Sequence, residues 1–127
     1  MKTMKMTLSL LASIAATAAA EAGAQSPPAG APIEFRLAAE KSNPMGCISL
    51  DASLSRVHAV TLMGDKATLK SAGGINDTLK QTSPGVYKTT FSLGGVRLDV
   101  VADASRAPRT LTVAEAQRGC RWNATAP

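Results

Sequence analysis

Residues 86–100 read VYKTTFSLGGVRLDV, which is two alternating runs of apolar and polar residues separated by a pair of glycines. Such alternation is typical of a strand with one buried face, because successive side chains of a strand point to opposite sides. A two-residue glycine break between two such runs favours a tight β-hairpin. The apolar set is Tyr87, Phe91 and Leu93 in the first run and Val96, Leu98 and Val100 in the second. We therefore expect residues 86–93 and 96–103 to pair as antiparallel strands with these side chains in the core.

The same pattern continues on both sides of this hairpin. Turns rich in glycine, proline or serine cut the chain at nearly regular spacing, which indicates a meander of short strands. The predicted strands are residues 33–40, 56–63, 66–72, 75–81, 86–93, 96–103 and 109–113. The other predicted core residues are Ile33, Phe35, Leu37, Ala39, Ala67, Leu69, Ile75, Leu79, Leu111 and Val113. About seven short strands predict an all-β fold, either an immunoglobulin-like antiparallel sandwich or a small barrel.

Two segments are harder to interpret. Residues 56–63 carry mixed side chains on both faces, so the pattern assigns neither face to the core. Residues 47–50 are expected to begin a further strand or to form a short bridging segment. No segment after residue 25 has the periodicity of an amphipathic helix, although residues 113–118 are long enough for a single turn.

The first 24 residues have the three parts of a secretory signal peptide. Lys2 and Lys5 form a basic start, an apolar stretch rich in leucine and alanine follows, and Ala22-Gly23-Ala24 is a small-residue cleavage site. The alternative is a membrane anchor, but the apolar run is shorter than the roughly 18–20 residues that a span needs. We expect a periplasmic or secreted protein that has no membrane span in its mature chain.

The rest of the chain has the length of one domain. Residues 25–32 contain three prolines and predict a flexible arm, residues 33–122 a single β domain, and residues 123–127 a tail. From residue 25 onward there are 12 Lys and Arg against 8 Asp and Glu, so the net charge is 12 − 8 = +4. This modest positive charge favours anionic partners over cationic ones.

Cys47 and Cys120 are the only two cysteines. In an oxidising compartment, two cysteines far apart in the sequence are more often bridged than free, so we predict one disulfide between them. The alternative is a redox-active or metal-binding thiol pair, which requires C-x-x-C spacing or a thiol of depressed pKa. Arg118 and Arg121 flank Cys120, which is the only feature in favour of that alternative.

Pro84-Gly85-Val86-Tyr87, followed by Phe91, Gly95 and the run from Val96 to Val100, resembles small bacterial extracytoplasmic immunoglobulin-like domains of the YtkA and FixH-like type. The resemblance covers about 20 residues. It implies a sandwich fold. The chain departs from those families where Val96 replaces an aromatic residue, and it lacks their copper-binding segments rich in methionine and histidine.

Copper ligands and catalytic groups are sparse in this chain. Met45, His58 and Met63 are the candidate metal ligands, but His58 and Met63 lie on opposite faces of a regular strand and cannot reach one ion. The eight acidic residues after residue 25 are spread over the turns and strands, and no phosphate loop or dinucleotide fingerprint is present. We expect neither a cofactor nor enzymatic activity, with a periplasmic copper-associated protein as a subordinate alternative.

Basic residues are concentrated near the C-terminus. If the disulfide brings Arg118 and Arg121 beside the turn before Cys47, they join Lys41, with Arg109 and Trp122 as further candidates, in a basic rim for an anionic partner. The alternative is a solvated surface that keeps the protein soluble. Trp122 either packs over the disulfide or is exposed as a contact for a partner.

Two functions of different class remain open. The first is a non-catalytic binding protein of the bacterial envelope, which uses the basic rim to hold an anionic envelope component or protein. The second is a secreted inhibitor that presents rigid loops, such as the one at residues 83–87, to an enzyme. Nucleic acid is not expected as a partner, because aromatic residues make up only 3% of the chain and offer no stacking platform.

Overall fold

Nine strands and one short α-helix make up residues 30–127, the part of the chain that this computed structural model describes. The strands are β1 (Pro32–Arg36), β2 (Ala38–Ala39), β3 (Val57–Met63), β4 (Lys66–Ser71), β5 (Asn76–Ser83), β6 (Val86–Leu93), β7 (Val96–Asp103), β8 (Arg109–Glu115) and β9 (Cys120–Ala126). A 3₁₀ turn (Met45–Cys47) leads into helix α1 (Ile48–Leu54). The predicted signal peptide and residues 25–29 of the predicted arm lie outside the described residues.

The strands form one antiparallel sheet in the order β1-β3-β4-β5-β6-β7-β8-β9-β2. β1 pairs with β3, β2 pairs with β9, and only Leu37 separates β1 from β2. One bent segment therefore borders both ends of the sheet, which is nearly closed on itself. The all-β prediction is confirmed, and the strands from β3 to β9 follow one another as in a small barrel; the described strands make no Greek-key crossover of the immunoglobulin type.

The hairpin of β6 and β7 has the predicted bounds and register. Phe91 lies opposite Leu98, and Leu93 lies opposite Val96, so the apolar sets of the two strands share one face. Gly94 and Gly95 both have positive φ, 58° and 81°, which is the conformation that a two-residue hairpin turn requires and that glycine adopts without strain. The sequence pattern and the backbone requirement of the turn therefore agree.

The core lies inside the nearly closed sheet. The predicted alternation of the first strand is confirmed, since Ile33, Phe35 and Leu37 are all buried. For β3 the register decides what the sequence left open: His58 lies opposite Phe35, and Val60 lies opposite Leu69, so the face that carries His58 and Val60 points inward. The other face of β3 points outward.

Three sequence predictions are wrong. Residues 47–50 do not begin a strand but form the end of the 3₁₀ turn and the start of α1, so a helix is present that the periodicity did not indicate. Residues 123–126 are not a tail, because they belong to β9, in which Cys120, Trp122, Ala124 and Ala126 are buried alternately with more exposed residues. Pro32 is part of β1 rather than of the arm.

The two ends of the sheet differ. The connections β4–β5, β6–β7 and β8–β9 lie at one end, together with the long segment of residues 40–56 between β2 and β3. We call residues 40–56 the cap and this end the capped end. The connections β3–β4, β5–β6 and β7–β8 lie at the far end, where the hydroxyl of Tyr87 donates a hydrogen bond to the carbonyl of Gly64 over 2.9 Å.

Candidate functional site

The cap is fixed to β9 by covalent and hydrogen bonds. The predicted disulfide joins Cys47 to Cys120, with 5.8 Å between the Cα atoms, and it closes a separation of 73 residues. Asn43 makes a reciprocal pair with the backbone of Arg121: its Nδ2 donates to the carbonyl over 2.9 Å, and its Oδ1 accepts from the N–H over 2.9 Å. The backbone N–H of Glu40 donates to the same carbonyl over 3.0 Å. The cap is therefore held in one position at the end of the sheet.

The inner face of the cap contributes to the core. Leu50 and Leu54 of α1 are buried, four residues apart and hence on one side of the helix. Trp122 of β9 is fully buried, and its Nε1–H donates to Asp51 Oδ1 over 2.8 Å. The indole thus packs at the capped end and satisfies its only polar group there, so of the two alternatives for Trp122 the structure shows packing and removes it from the candidates for partner contact.

His58 connects β3 to the C-terminal end of α1. Its side chain is 1% exposed, and Nε2 lies 2.9 Å from the carbonyl of Leu54, which makes Nε2 the protonated nitrogen. Nδ1 is buried and has no hydrogen-bond partner among the described residues. Burial disfavours the imidazolium, so the pKa of His58 lies below its ordinary value of 6.5; the hydrogen bond to Leu54 opposes this shift, and the charge of Arg56 adds to it.

We expect this histidine to make the protein less stable in mild acid. Because the folded state resists protonation, stability is unaffected above pH 6.5 and falls as the pH drops below 6.5 towards the lower folded-state pKa, with a limiting slope of about 1.4 kcal/mol per pH unit. Urea unfolding at pH 7.5, 6.5, 5.5 and 5.0 would measure the slope. His58 is the only histidine in the sequence. The variant His58→Leu should therefore show a flatter dependence of the unfolding free energy on pH in this range, even if its stability is lower at every pH. A parallel decline in both proteins would contradict this assignment.

The outer face of the cap carries an apolar stripe, which we define as Pro44, Met45, Ile48 and Ala52. All four are exposed, and Met45 and Ile48 are 83% and 60% exposed. They follow one another at spacings of one, three and four residues through the 3₁₀ turn and α1, which places the last three on one side of the segment. Two of the three exposed large apolar side chains of residues 30–127 thus lie on one short, immobilised segment.

Three basic residues lie at the capped end together with this stripe, and we call Lys41, Arg118 and Arg121 the cap cations. The guanidinium of Arg118 donates from Nη1 to the carbonyl of Gly46 over 3.4 Å, so it lies directly against the residue between Met45 and Cys47. Arg121 is exposed and only loosely paired, with 3.9 Å between its Nε and Oε2 of Glu40. Lys41 is exposed in the turn that follows Glu40. Lys41, Arg118 and Arg121 therefore all lie at the capped end.

Arg118 is positioned by a buried carboxylate. Glu115, the last residue of β8, is buried, and its two carboxylate oxygens accept hydrogen bonds from the backbone N–H groups of Gln117 (3.0 Å) and Arg118 (2.8 Å). These bonds fix the β8–β9 turn from within. A groove of about 420 Å³ runs beside this turn and is lined by Gly95, Val96, Arg97, Asp99, Glu115, Ala116, Gln117 and Arg118.

The other predicted site residues lie elsewhere. Arg109 begins β8 at the far end, where its guanidinium donates to the carbonyl of Pro127, so it is not part of the capped end. Of the candidate metal ligands, Met45 is on the cap, His58 is inside the sheet, and Met63 is at the far end, 57% exposed. The structure does not bring these three together, and residues 30–127 contain no cluster of three or more His, Cys, Asp or Glu side chains placed to hold a metal.

Sequence reasoning missed the apolar half of this site. The sequence pattern predicts a strand or bridging segment at residues 47–50, so it does not indicate that Ile48 is exposed beside Met45. The available signal was the spacing of Cys47, Leu50 and Leu54, which places the buried side chains on one side of a helix and leaves Ile48 and Ala52 on the other.

Comparison of the chain with protein-family models, with curated proteins and with solved structures gives no match. No helix among residues 30–127 is long and apolar enough to cross a membrane.

Proposed function

We propose that this chain is a small, exported, non-catalytic binding protein of the bacterial envelope that docks on an anionic lipid surface through its cap. The observation that carries the proposal is the apolar stripe of the cap with Arg118 bonded against it at Gly46. Exposed apolar side chains with cations at the same end of the fold suit a surface that offers anionic headgroups above an apolar interior. The disulfide supports the predicted export, since such bonds persist in oxidising compartments.

The magnitudes correspond to reversible binding. Burying Met45 and Ile48 would contribute roughly 1.5–3 kcal/mol for each side chain, and each cation near an anionic membrane about 1 kcal/mol. Glu40 neutralises part of the charge of Arg121, which leaves Lys41 and Arg118 as the stronger cations. A total of about 5–9 kcal/mol corresponds to dissociation constants from the submillimolar to the submicromolar range. Such a protein would associate peripherally with a lipid surface and leave it again.

Co-sedimentation with vesicles tests the proposal. We expect the mature protein to bind vesicles that contain phosphatidylglycerol and not vesicles of phosphatidylcholine alone, with binding lost at about 0.5 M salt, where charges are strongly screened. The variant Met45→Ser/Ile48→Ser should weaken binding at least tenfold through lost apolar contact, and Arg118→Glu should weaken it by a similar factor.

Matched controls are available on the same chain. Met63→Ser removes another exposed methionine, at the far end, and Lys70→Glu makes the same charge change as Arg118→Glu on the outer face of β4. Both controls should bind vesicles within about twofold of the unmodified protein, as surface changes outside the contact do. Equal losses in the Met45→Ser/Ile48→Ser and Met63→Ser variants, or equal losses in Arg118→Glu and Lys70→Glu, would refute docking through the cap.

A further inference from the structure

A row of three lysines crosses the outer face of the sheet, and we call Lys66, Lys80 and Lys88 the lysine row. Lys66 of β4 lies directly opposite Lys80 of β5, and Lys80 lies directly opposite Lys88 of β6. All three are exposed, and their neighbours Ala67, Leu79 and Tyr87 are buried, so the three side chains point outward together. Strands in a sheet are about 4.8 Å apart, so the row extends about 10 Å across three strands.

The row lacks compensating acids. The outer positions at its two ends are Met63, opposite Lys66, and Val101, opposite Lys88. Among residues 30–127 no carboxylate lies within 4 Å of these three ammonium groups. The neighbouring acids are otherwise placed. Asp65 is in the exposed β3–β4 turn, and Asp99, on the outer face of β7, accepts a hydrogen bond from the hydroxyl of Thr90 over 2.9 Å. The carboxylate of Asp103 is bonded to the backbone N–H and the hydroxyl of Ser105. The three lysines of the row therefore make no direct ion pair within the described part of the chain.

Such a row is unfavourable for the sheet alone. Like charges at directly opposed positions of neighbouring strands repel and reduce stability. Lysines are often placed on edge strands, where they prevent pairing with another chain, but β4, β5 and β6 lie in the middle of the strand order and have no free edge. The usual structural reason for outward lysines on a strand therefore does not apply to these three.

Hydroxyl groups flank the row on the side towards the capped end. Thr61, Thr68 and Thr78 occupy opposed outer positions on β3, β4 and β5, two residues along each of β4 and β5 from the lysines. Threonine hydroxyls donate hydrogen bonds to anionic oxygen atoms, and ammonium groups bind them as point charges. The outer face of β4 and β5 thus presents a line of cations beside a line of hydroxyl donors.

We propose that the lysine row binds a linear polyanion that crosses β4, β5 and β6, with each ammonium group holding one anionic group of the chain. The row is distinct from the cap: Lys66 follows the β3–β4 turn and Lys88 lies near the β5–β6 turn, both at the far end of the sheet. The ligand class is a phosphate or sulfate polymer, because the row offers several equally spaced charges beside a line of hydroxyl donors.

Binding of inorganic polyphosphate and of a sulfated polysaccharide, measured by titration calorimetry at low salt, tests this site and distinguishes the two sources of anionic groups. The variant Lys66→Gln/Lys80→Gln/Lys88→Gln should weaken binding of at least one polymer by roughly 30-fold, at roughly threefold for each exposed charge pair lost. The matched variant Arg36→Gln/Arg97→Gln/Arg106→Gln removes the same charge from exposed positions outside the row and should weaken binding less than threefold.

A second readout does not depend on the ligand. Lys80→Gln removes the central charge of the row, so it should raise the melting temperature by roughly 1–5 °C while it weakens binding of the polymer. Inorganic monophosphate should bind far more weakly than polyphosphate, because it meets only one lysine. Equal affinity for the two phosphates, equal losses in the two triple variants, or vesicle binding that depends on the row and not on the cap would each overturn the proposal.

Discussion

Trp122→Ala is expected to destabilise the protein more than any other single substitution considered, by about 3–5 kcal/mol. The indole is fully buried at the capped end, where β9 meets the cap, so truncation leaves a large cavity between the two. It also removes the donor that serves Asp51 Oδ1. For a domain of this size, such a loss corresponds to a fall in melting temperature of roughly 15–30 °C. Thermal unfolding followed by circular dichroism would measure it.

Two further variants separate volume from hydrogen bonding. Trp122→Phe keeps most of the buried volume and loses only the N–H donor, so about 1–2 kcal/mol should be lost. Asp51→Asn keeps an acceptor oxygen for the indole and should lose less than about 1 kcal/mol. If Trp122→Ala cost no more than Trp122→Phe, the indole would not be filling the capped end as the structure indicates.

The strands of this protein could be predicted because their signals are local. In β6 and β7 the alternation of apolar residues, the glycine pair and the turn geometry all depend on residues adjacent in sequence, and both strands have the predicted bounds. β9 was missed because its local signal is weak. Its inward residues after Cys120 include Ala124 and Ala126, whose small side chains give only a weak alternation of apolar and polar residues. It pairs with the preceding strand β8 and also with β2, which is distant in the chain.

Of the candidate site, only the position of its basic residues could be predicted from the sequence. The disulfide prediction placed Arg118 and Arg121 beside Lys41, because a covalent bond between Cys47 and Cys120 limits where their neighbours can lie. The exposure of Met45 and Ile48 could not be foreseen in this way. It depends on which side of the short helix α1 packs on the sheet, and seven residues carry too little periodicity to specify this.

The lysine row shows a third limit of sequence reasoning. Alternation alone places Lys66, Lys80 and Lys88 on the solvent side, but only the register shows that they are directly opposed. A shift of two residues in either pairing would keep every side chain on its face and separate the charges. The repulsion is thus a property of the register, which the sequence specifies only through the turns that set it.

Loss of the Cys47–Cys120 disulfide is the other change with a large expected effect. Releasing a closed loop of this length should reduce stability by about 4 kcal/mol in the chain-entropy model, and the melting temperature should fall by roughly 15–30 °C. The Cys47→Ala/Cys120→Ala variant and the reduced native protein should have the same lowered melting temperature. The oxidised native protein should show no free thiol with a thiol-specific reagent. Two free thiols in the native protein would contradict the predicted bond.

The same double variant distinguishes the two proposed sites. The disulfide fixes the cap against β9, so without it Met45, Ile48 and Arg118 lose their common placement, and binding to anionic vesicles should fall at least fivefold at a temperature where the sheet remains folded. The lysine row lies on β4, β5 and β6, which the disulfide does not join, so binding of the polyanion should change less than twofold. Parallel loss of both activities would mean that the sheet itself had unfolded, which circular dichroism on the same samples would show. Unchanged vesicle binding by a folded double variant would mean that the cap presents the apolar stripe without the disulfide.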